Sequence, residues 1–468
     1  MATVTLVRST PAGPAAPRSR RILPVAVIAV LVGASALAWE RLPPLARDTL
    51  WAEDGRTFLG QAARPGALST LVTPYAGYLH TVPRLEALVI AHLVPVAGWA
   101  LTMTAINCLV AGAVAAIVFV ASASVLPWMP ARLLLASLTV LTPLASREVL
   151  GNAANIHSIL FWGAFWMLLA RPRSRTAAAV LAAAMLLSAL TEIQTLFLLP
   201  LVLLRLRDRA AWPLKGALLV GAALQLAATL AAPRPSTSAS PDSPLSIAFG
   251  WIVNAVLTSW APRSEISGLV ATFGPAVAAV LAIPLASLAV VLARGRRAER
   301  VTALLLLAGS IVVWVAGVVL DPRPYYEYAS PAVMSSDRVW LARYGVVPAM
   351  MLLAITVVAI AVIVRAPRGR APAVIAAVAL VAVLIAQAPT TDTRRSSGPA
   401  WMPQIASAEA ACATGVPEVR LRETLGWVVA VPCALLRDRI TGIPGLTMEP
   451  PVGIEPTTYS LRVNRSAD

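Results

Sequence analysis

The chain has 468 residues, length enough for two or three soluble domains. Yet 58% of them are hydrophobic, only 13% are charged and mean hydropathy is +0.76, which leaves too little polar surface for several water-facing domains. The net charge of +16 would suit a nucleic-acid binder, but every cation except Lys215 is Arg and the arginines fall in short clumps between long apolar runs. Composition thus excludes a soluble multidomain protein and a nucleic-acid partner. It implies an all-α polytopic membrane protein.

In chain order, residues 1–21 read as a cytoplasmic tail, followed by a membrane domain over 22–388. Apolar runs approaching the roughly 20 residues that cross a bilayer occur at 22–38, 99–124, 131–146, 157–170, 177–190, 193–204, 214–231, 272–293, 301–320, 345–364 and 371–388. That predicts about eleven transmembrane helices. Arg20 and Arg21 before an apolar run, with Ser35 to Ala38 after it, resemble a cleavable signal peptide. The run is long for one, so it reads as an uncleaved anchor.

Orientation follows from the cations of the short loops. Arg18, Arg20 and Arg21, then Arg171, Arg173 and Arg175, then Arg205, Arg207, Arg209 and Lys215 alternate with cation-poor turns. Arg294, Arg296, Arg297 and Arg300, and then Arg365, Arg368 and Arg370, continue the series. Placed in the cytoplasm, they put the N-terminus inside and the C-terminus outside. The stretch 85–98 would break the alternation if it crossed, so it reads as an interfacial or re-entrant helix within a long outer loop, 39–98. The other outer segments are 232–271 and 321–344. Cytoplasmic loops are too short for a nucleotide-binding fold, and no glycine pattern for phosphate binding is present.

The segment 389–446 reads as a small extracytoplasmic module. Cys412 and Cys433 lie in this oxidising setting, and the residues around them alternate like two short strands, so a disulfide between them is expected. Cys108, inside a span, reads as a packing residue. Residues 447–468, from Met448 onward, lack this pattern. They resemble a stretch found where unrelated bacterial reading frames run across a transfer-RNA gene, and read as a translation artefact or a disordered tail.

Polar information concentrates in the first outer loop, where Glu53 and Asp54 are followed by Arg56, Tyr78, His80 and Arg84. Held at a membrane surface, one carboxylate can take a proton from an attacking hydroxyl while the other, with Asp54 as the candidate, holds a divalent cation such as Mg or Mn. Arg56 or Arg84 can bind a leaving phosphate. Asp54 as a helix cap and Glu53 paired with Arg56 are the bland alternatives. Adjacent residues point about 100° apart on a helix, so both face one substrate only if the backbone turns there. Asn152, Asn155 and His157 stand at the outer ends of two spans, Glu192 at the edge of another, and Arg343 where a further span begins; these are candidate substrate contacts. No His/Cys cluster has metal spacing.

The acidic pair just after the first span, on a long first outer loop of a many-span chain, resembles the GT-C superfamily of membrane glycosyltransferases. The resemblance covers about 40–400 in architecture, with Glu53 and Asp54 as its specific motif. It implies a polyprenyl-phosphate-linked sugar donor, an envelope glycan, lipid or protein as acceptor, one member of the pair as catalytic base, and residence in a bacterial inner membrane. Metal use varies within that superfamily. The same outer cavity would also serve a transporter, flippase or glycan polymerase, although the spans are nearly free of the ionisable groups that coupled transport needs. A non-enzymatic envelope scaffold is the third reading.

Overall fold

The computed structural model describes residues 18–234, 242–335, 339–390 and 392–437, and helices dominate them. Every apolar range read above as a span holds a helix. Among the described residues, Leu23–Glu40, Val96–Ser124, Arg209–Ala231, Arg263–Arg294, Arg297–Val319 and Arg343–Ile363 are long and apolar enough to cross a membrane. The remaining ranges hold the shorter helices Met129–Leu141, His157–Leu169, Arg175–Ala189, Ile193–Leu203 and Arg370–Ala386. A 13-residue helix reaches only about 20 Å against a hydrocarbon core of about 30 Å. Segments 1–17 and 438–468, including the tail from 447, lie outside the described residues.

The bundle is apolar on its outer surface as well as in its core. Val25, Val180, Leu230, Ile375 and Ile385 stand exposed on its outer surface, an apolar envelope suited to lipid and not to water. Val346–Ile363 is apolar on every side and buried along nearly its whole length, as expected of the central helix. The first helix leans on Trp99–Ala121, and at Gly112 a Cβ would sit 2.5 Å from the carbonyl of Leu31. A small residue at that point lets the two backbones approach.

The bundle has two chemically different ends. At one, Arg171, Arg205 and Arg297 surround a common pocket, and Arg365 is ion-paired with Glu299, with Nη2 2.7 Å from Oε2. At the other end lie the long first loop, the turns at 149–156 and 190–192, the segment after Val319, and the tail. Helix Thr81–Leu93 starts and finishes at this loop end. Thr81 donates to the Leu190 carbonyl over 3.2 Å, and Trp401 donates to Val96 over 2.7 Å just beyond its other end. Both of its ends therefore pack against residues of the loop end.

Residues 232–271 were expected as a loop, but they contain the apolar helix Pro244–Trp260. Ser243 caps it by accepting from Ser246 N at 3.2 Å, with Pro244 in the first turn, a standard start signal. Its polar residues bond within the helix: Asn254 to the Gly250 carbonyl at 2.9 Å and Thr258 to the Asn254 carbonyl at 2.6 Å. Both ends return to the loop end, where Ser246 meets Glu327 at 2.8 Å and Arg263 meets the Asp392 carbonyl.

The tail forms helix Met402–Ala413 and an antiparallel hairpin of β1 (Glu418–Arg422) and β2 (Val428–Pro432), with Cys412 bridged to Cys433. The helix was not anticipated. Nor does this segment stand apart from the first loop. Leu50, Phe58, Ala87 and Trp99 share one apolar cluster with Trp401, Val419, Val429 and Cys433, and the Trp99 and Trp401 rings stack at 6.2 Å. Buried Arg395 fastens the joint by donating to Thr49 O, Thr104 Oγ1 and Leu150 O at 3.0–3.3 Å.

Candidate functional site

The acidic pair opens a wide helical turn, Asp54–Leu59, and its two side chains part company. Asp54 is buried, with Oδ2 accepting from Ala153 N at 3.1 Å and Oδ1 from Ala154 N at 2.8 Å. Burial pushes its carboxyl up to about 7, against the pull of those two amides and of Arg395. Glu53 instead lines a cavity, where its Oε2 is buried without a hydrogen-bond partner.

Glu423, in the turn between β1 and β2, supports this arrangement from below. Its Oε2 accepts from Arg56 N at 3.2 Å, so an acid from the tail caps the turn that carries the pair. A Cβ at position 55 would lie 2.5–2.7 Å from the Glu423 carboxyl, which makes Gly55 a requirement of the approach. Burial drives Glu423 up to about 9, and Asp54 and Glu53 push in the same direction.

The cavity has a volume of about 310 Å³ and draws on six separate parts of the chain. From the first loop come Glu53, Phe58, Tyr75, Tyr78 and His80. Tyr75 and Tyr78 are held opposite each other by a two-residue turn, with mutual backbone bonds of 2.9 and 3.2 Å. Ala76 and Gly77 both have positive φ, as that hairpin turn demands. Gly77 is also needed because a Cβ would meet the backbone of Arg234 at 2.9 Å. The Tyr78 and His80 rings lie 4.0 Å apart, with Phe58 and Tyr75 at 5.6 and 5.5 Å from His80. Burial lowers His80 to about 3, so its imidazole is neutral at physiological pH. Together these rings form an aromatic shelf beside Glu53.

The same cavity is lined by charged groups. His157 Nδ1 is bonded to Glu192 Oε2, and Glu192 also caps its own segment by accepting from Gln194 N at 2.8 Å. Arg343 lies 3.7 Å from Glu148, and its Nε is buried without a hydrogen-bond partner. Asp321 collects Arg234 at 2.8 Å, Arg323 at 3.0 Å and the Tyr344 hydroxyl at 3.1 Å. Gly317 leaves room for the Tyr344 ring, which a Cβ there would meet at 2.8 Å.

Of the residues singled out in the sequence, Glu53, Tyr78, His80, Asn155, His157, Glu192 and Arg343 line this one cavity. Four others do not. Asp54 holds the 153–154 turn. Asn152 braces Asn155, its Oδ1 accepting Asn155 N at 2.9 Å. Arg84 bonds Gln61 at 2.8 Å and lies 5.8 Å from the Phe58 ring, behind the shelf. Arg56 is exposed and stacks 4.9 Å from the ring of Trp427. Arg234, Asp321, Arg323, Tyr344 and Trp427 also line it and were not assigned to a site; only their positions near predicted span ends or in the tail hinted at it.

Each Asp54 oxygen accepts one backbone amide, so a divalent cation bound there would share the carboxylate with Ala153 N and Ala154 N. Among the described residues no group of three or more His, Cys, Asp or Glu side chains converges. Comparison with protein-family models, curated proteins and solved structures finds no match to this chain.

Proposed function

We propose that the chain is a membrane glycosyltransferase of the GT-C type, moving a sugar from a polyprenyl-phosphate donor to an acceptor in the bacterial cell envelope. The observation that carries this reading is one cavity holding a carboxylate oxygen and a guanidinium nitrogen that are both buried and unpartnered, on Glu53 and Arg343. An unpaired buried polar atom is costly to keep and calls for a functional account.

In the proposed reaction Glu53 takes the proton of the acceptor hydroxyl as that oxygen attacks the anomeric carbon. The bond from that carbon to the phosphate oxygen breaks, its electron pair leaving with polyprenyl phosphate, and the configuration inverts. Arg343 meets the charge developing on the leaving phosphate. The rings of Tyr78 and His80 offer an apolar face for the sugar, and Asn155 and the His157–Glu192 pair offer hydroxyl partners. None of these steps uses a metal.

The reading extends to topology. On this reading the eleven apolar ranges of the sequence cross between the arginine-rich end and the loop end, and by the positive-inside rule the former lies in the cytoplasm. The cavity then opens on the extracytoplasmic side, where lipid-linked donors present their sugars. The test is lipid and glycan analysis of a deletion strain complemented with wild type or Glu53→Gln. The expected result is a missing sugar and accumulated donor in the variant; full restoration by Glu53→Gln would refute the proposal.

A further inference from the structure

A second and larger cavity, about 660 Å³, opens at the loop end beside the first. It takes no part in the transfer proposed above. We propose that it is a binding site for an oxyanion of the phosphate or diphosphate class.

Among the described residues, three guanidiniums, those of Arg147, Arg263 and Arg394, line it against a single carboxylate, Asp392. They come from three distant parts of the chain, and one keeps a donor in reserve. Nη1 of Arg263 is buried without a hydrogen-bond partner, whereas Nε of Arg394 faces Glu148 at 3.4 Å. Trp340 fixes the spacing, with Arg147 and Arg394 lying 5.2 and 4.5 Å from its ring, an arrangement that holds cations in place without neutralising them. The backbone reinforces it, since Arg394 N donates to the Arg147 carbonyl at 3.0 Å.

A fourth cation stands behind the wall. Buried Arg41 gives its donors to the carbonyls of Val140, Thr142, Pro143 and Ala388 and to Ser146 Oγ, with no carboxylate among them. Among the described residues, the acid close to the group from behind is Glu148, shared by Arg394 at 3.4 Å, Arg147 at 3.6 Å and Arg343 at 3.7 Å. Positive charge therefore exceeds negative charge around a cavity too wide for a lone carboxylate. A phosphate or diphosphate supplies several acceptor oxygens and two or more charges at once, which is the chemistry that converging arginines match.

The probe is inorganic pyrophosphate, titrated calorimetrically into the full chain in phosphatidylcholine nanodiscs. Saturable binding is expected, weakened about tenfold or more by Arg263→Gln and by Arg394→Gln. Arg394→Lys should weaken it less, and Arg300→Gln, at the opposite end, should leave it unchanged. Melting temperatures check that the variants fold. In the wild-type chain, with no variant needed, pyrophosphate should slow phenylglyoxal modification of Arg263 and Arg394. No saturable binding, unprotected arginines, or wild-type affinity in both folded Gln variants would overturn the proposal. Repeating the titration in phosphatidylglycerol nanodiscs identifies the source. A weakened pyrophosphate affinity there marks the site as one for an anionic lipid headgroup, and an unchanged affinity marks it as one for a soluble phosphate compound.

Discussion

Neutralising the two members of the acidic pair should produce opposite phenotypes, because one faces the cavity and the other faces the backbone. Glu53→Gln keeps the side chain's shape, and Oε2 has no partner to lose, so stability should change by less than about 1 kcal/mol. Loss of a general base should lower transfer by about 10²–10⁴-fold. Asp54→Ala strips the acceptors from Ala153 N and Ala154 N, each costing about 1–3 kcal/mol when left unpaired. That loss is offset in a pH-dependent way. The native carboxyl is raised from 3.8 to about 7, which corresponds to roughly 4 kcal/mol of burial penalty on the charged form. For an acid with a raised folded pKa, wild-type stability is fully present below the unfolded value and is lost as pH rises through the folded one. The Ala variant has no such group. The gap in melting temperature between wild type and Asp54→Ala should therefore be widest near pH 4 and narrow toward pH 8, while the folded variant keeps measurable transfer. Thermal melting of purified protein across that range, with glycan analysis of complemented cells, gives both readouts. An active Glu53→Gln beside a folded but inert Asp54→Ala would reverse the assignment and refute the reasoning.

Glu423→Gln should be nearly neutral near pH 4, increasingly stabilising as pH rises, and at its full gain above about pH 9, since burial raises the native carboxyl from 4.5 to about 9; melting curves at pH 4 and 10 decide it. Gly55→Ala should displace the Glu423 carboxyl, which a Cβ would approach to 2.5–2.7 Å, lowering both melting temperature and transfer. Cys412→Ser should cost about 3 kcal/mol through the lost loop closure. It should also lower transfer, because the bridged hairpin carries Glu423 and Trp427 to the site; a reductant should reproduce the thermal shift in wild type and leave the variant unmoved.

What was legible in the sequence depends on distance along the chain. Apolar runs and arginine clumps are local features, and each run does hold a helix. The alternation around Cys412 and Cys433 likewise marks a hairpin, because period-two burial of Val419, Leu421, Val429 and Val431 is written within a few residues. Pro244–Trp260 escaped because Asn254, Thr258 and Ser259 look like loop residues. They are accommodated in an apolar helix because each bonds a carbonyl four residues back, and Asn254 also accepts from Ala342 N at 2.7 Å.

The acidic pair shows why the site was only half legible. Helical spacing says that Glu53 and Asp54 must diverge, but it is silent on which one turns inward. That choice is made by the amides of Ala153 and Ala154, about a hundred residues away, and by Glu423 from the far end of the chain. A carboxylate claimed by two amides is fixed in place, while its neighbour, given no partner, is left to face the cavity. The same logic sorts the rest of the candidates. Asn152 and Asp54 spend their hydrogen bonds on the scaffold, and Arg84, although two of its nitrogens lack partners, lies outside the cavity. Glu53 and Arg343 share the cavity and retain unused polar atoms, and that reserve, not the dipeptide motif, is the strongest argument that chemistry happens between them.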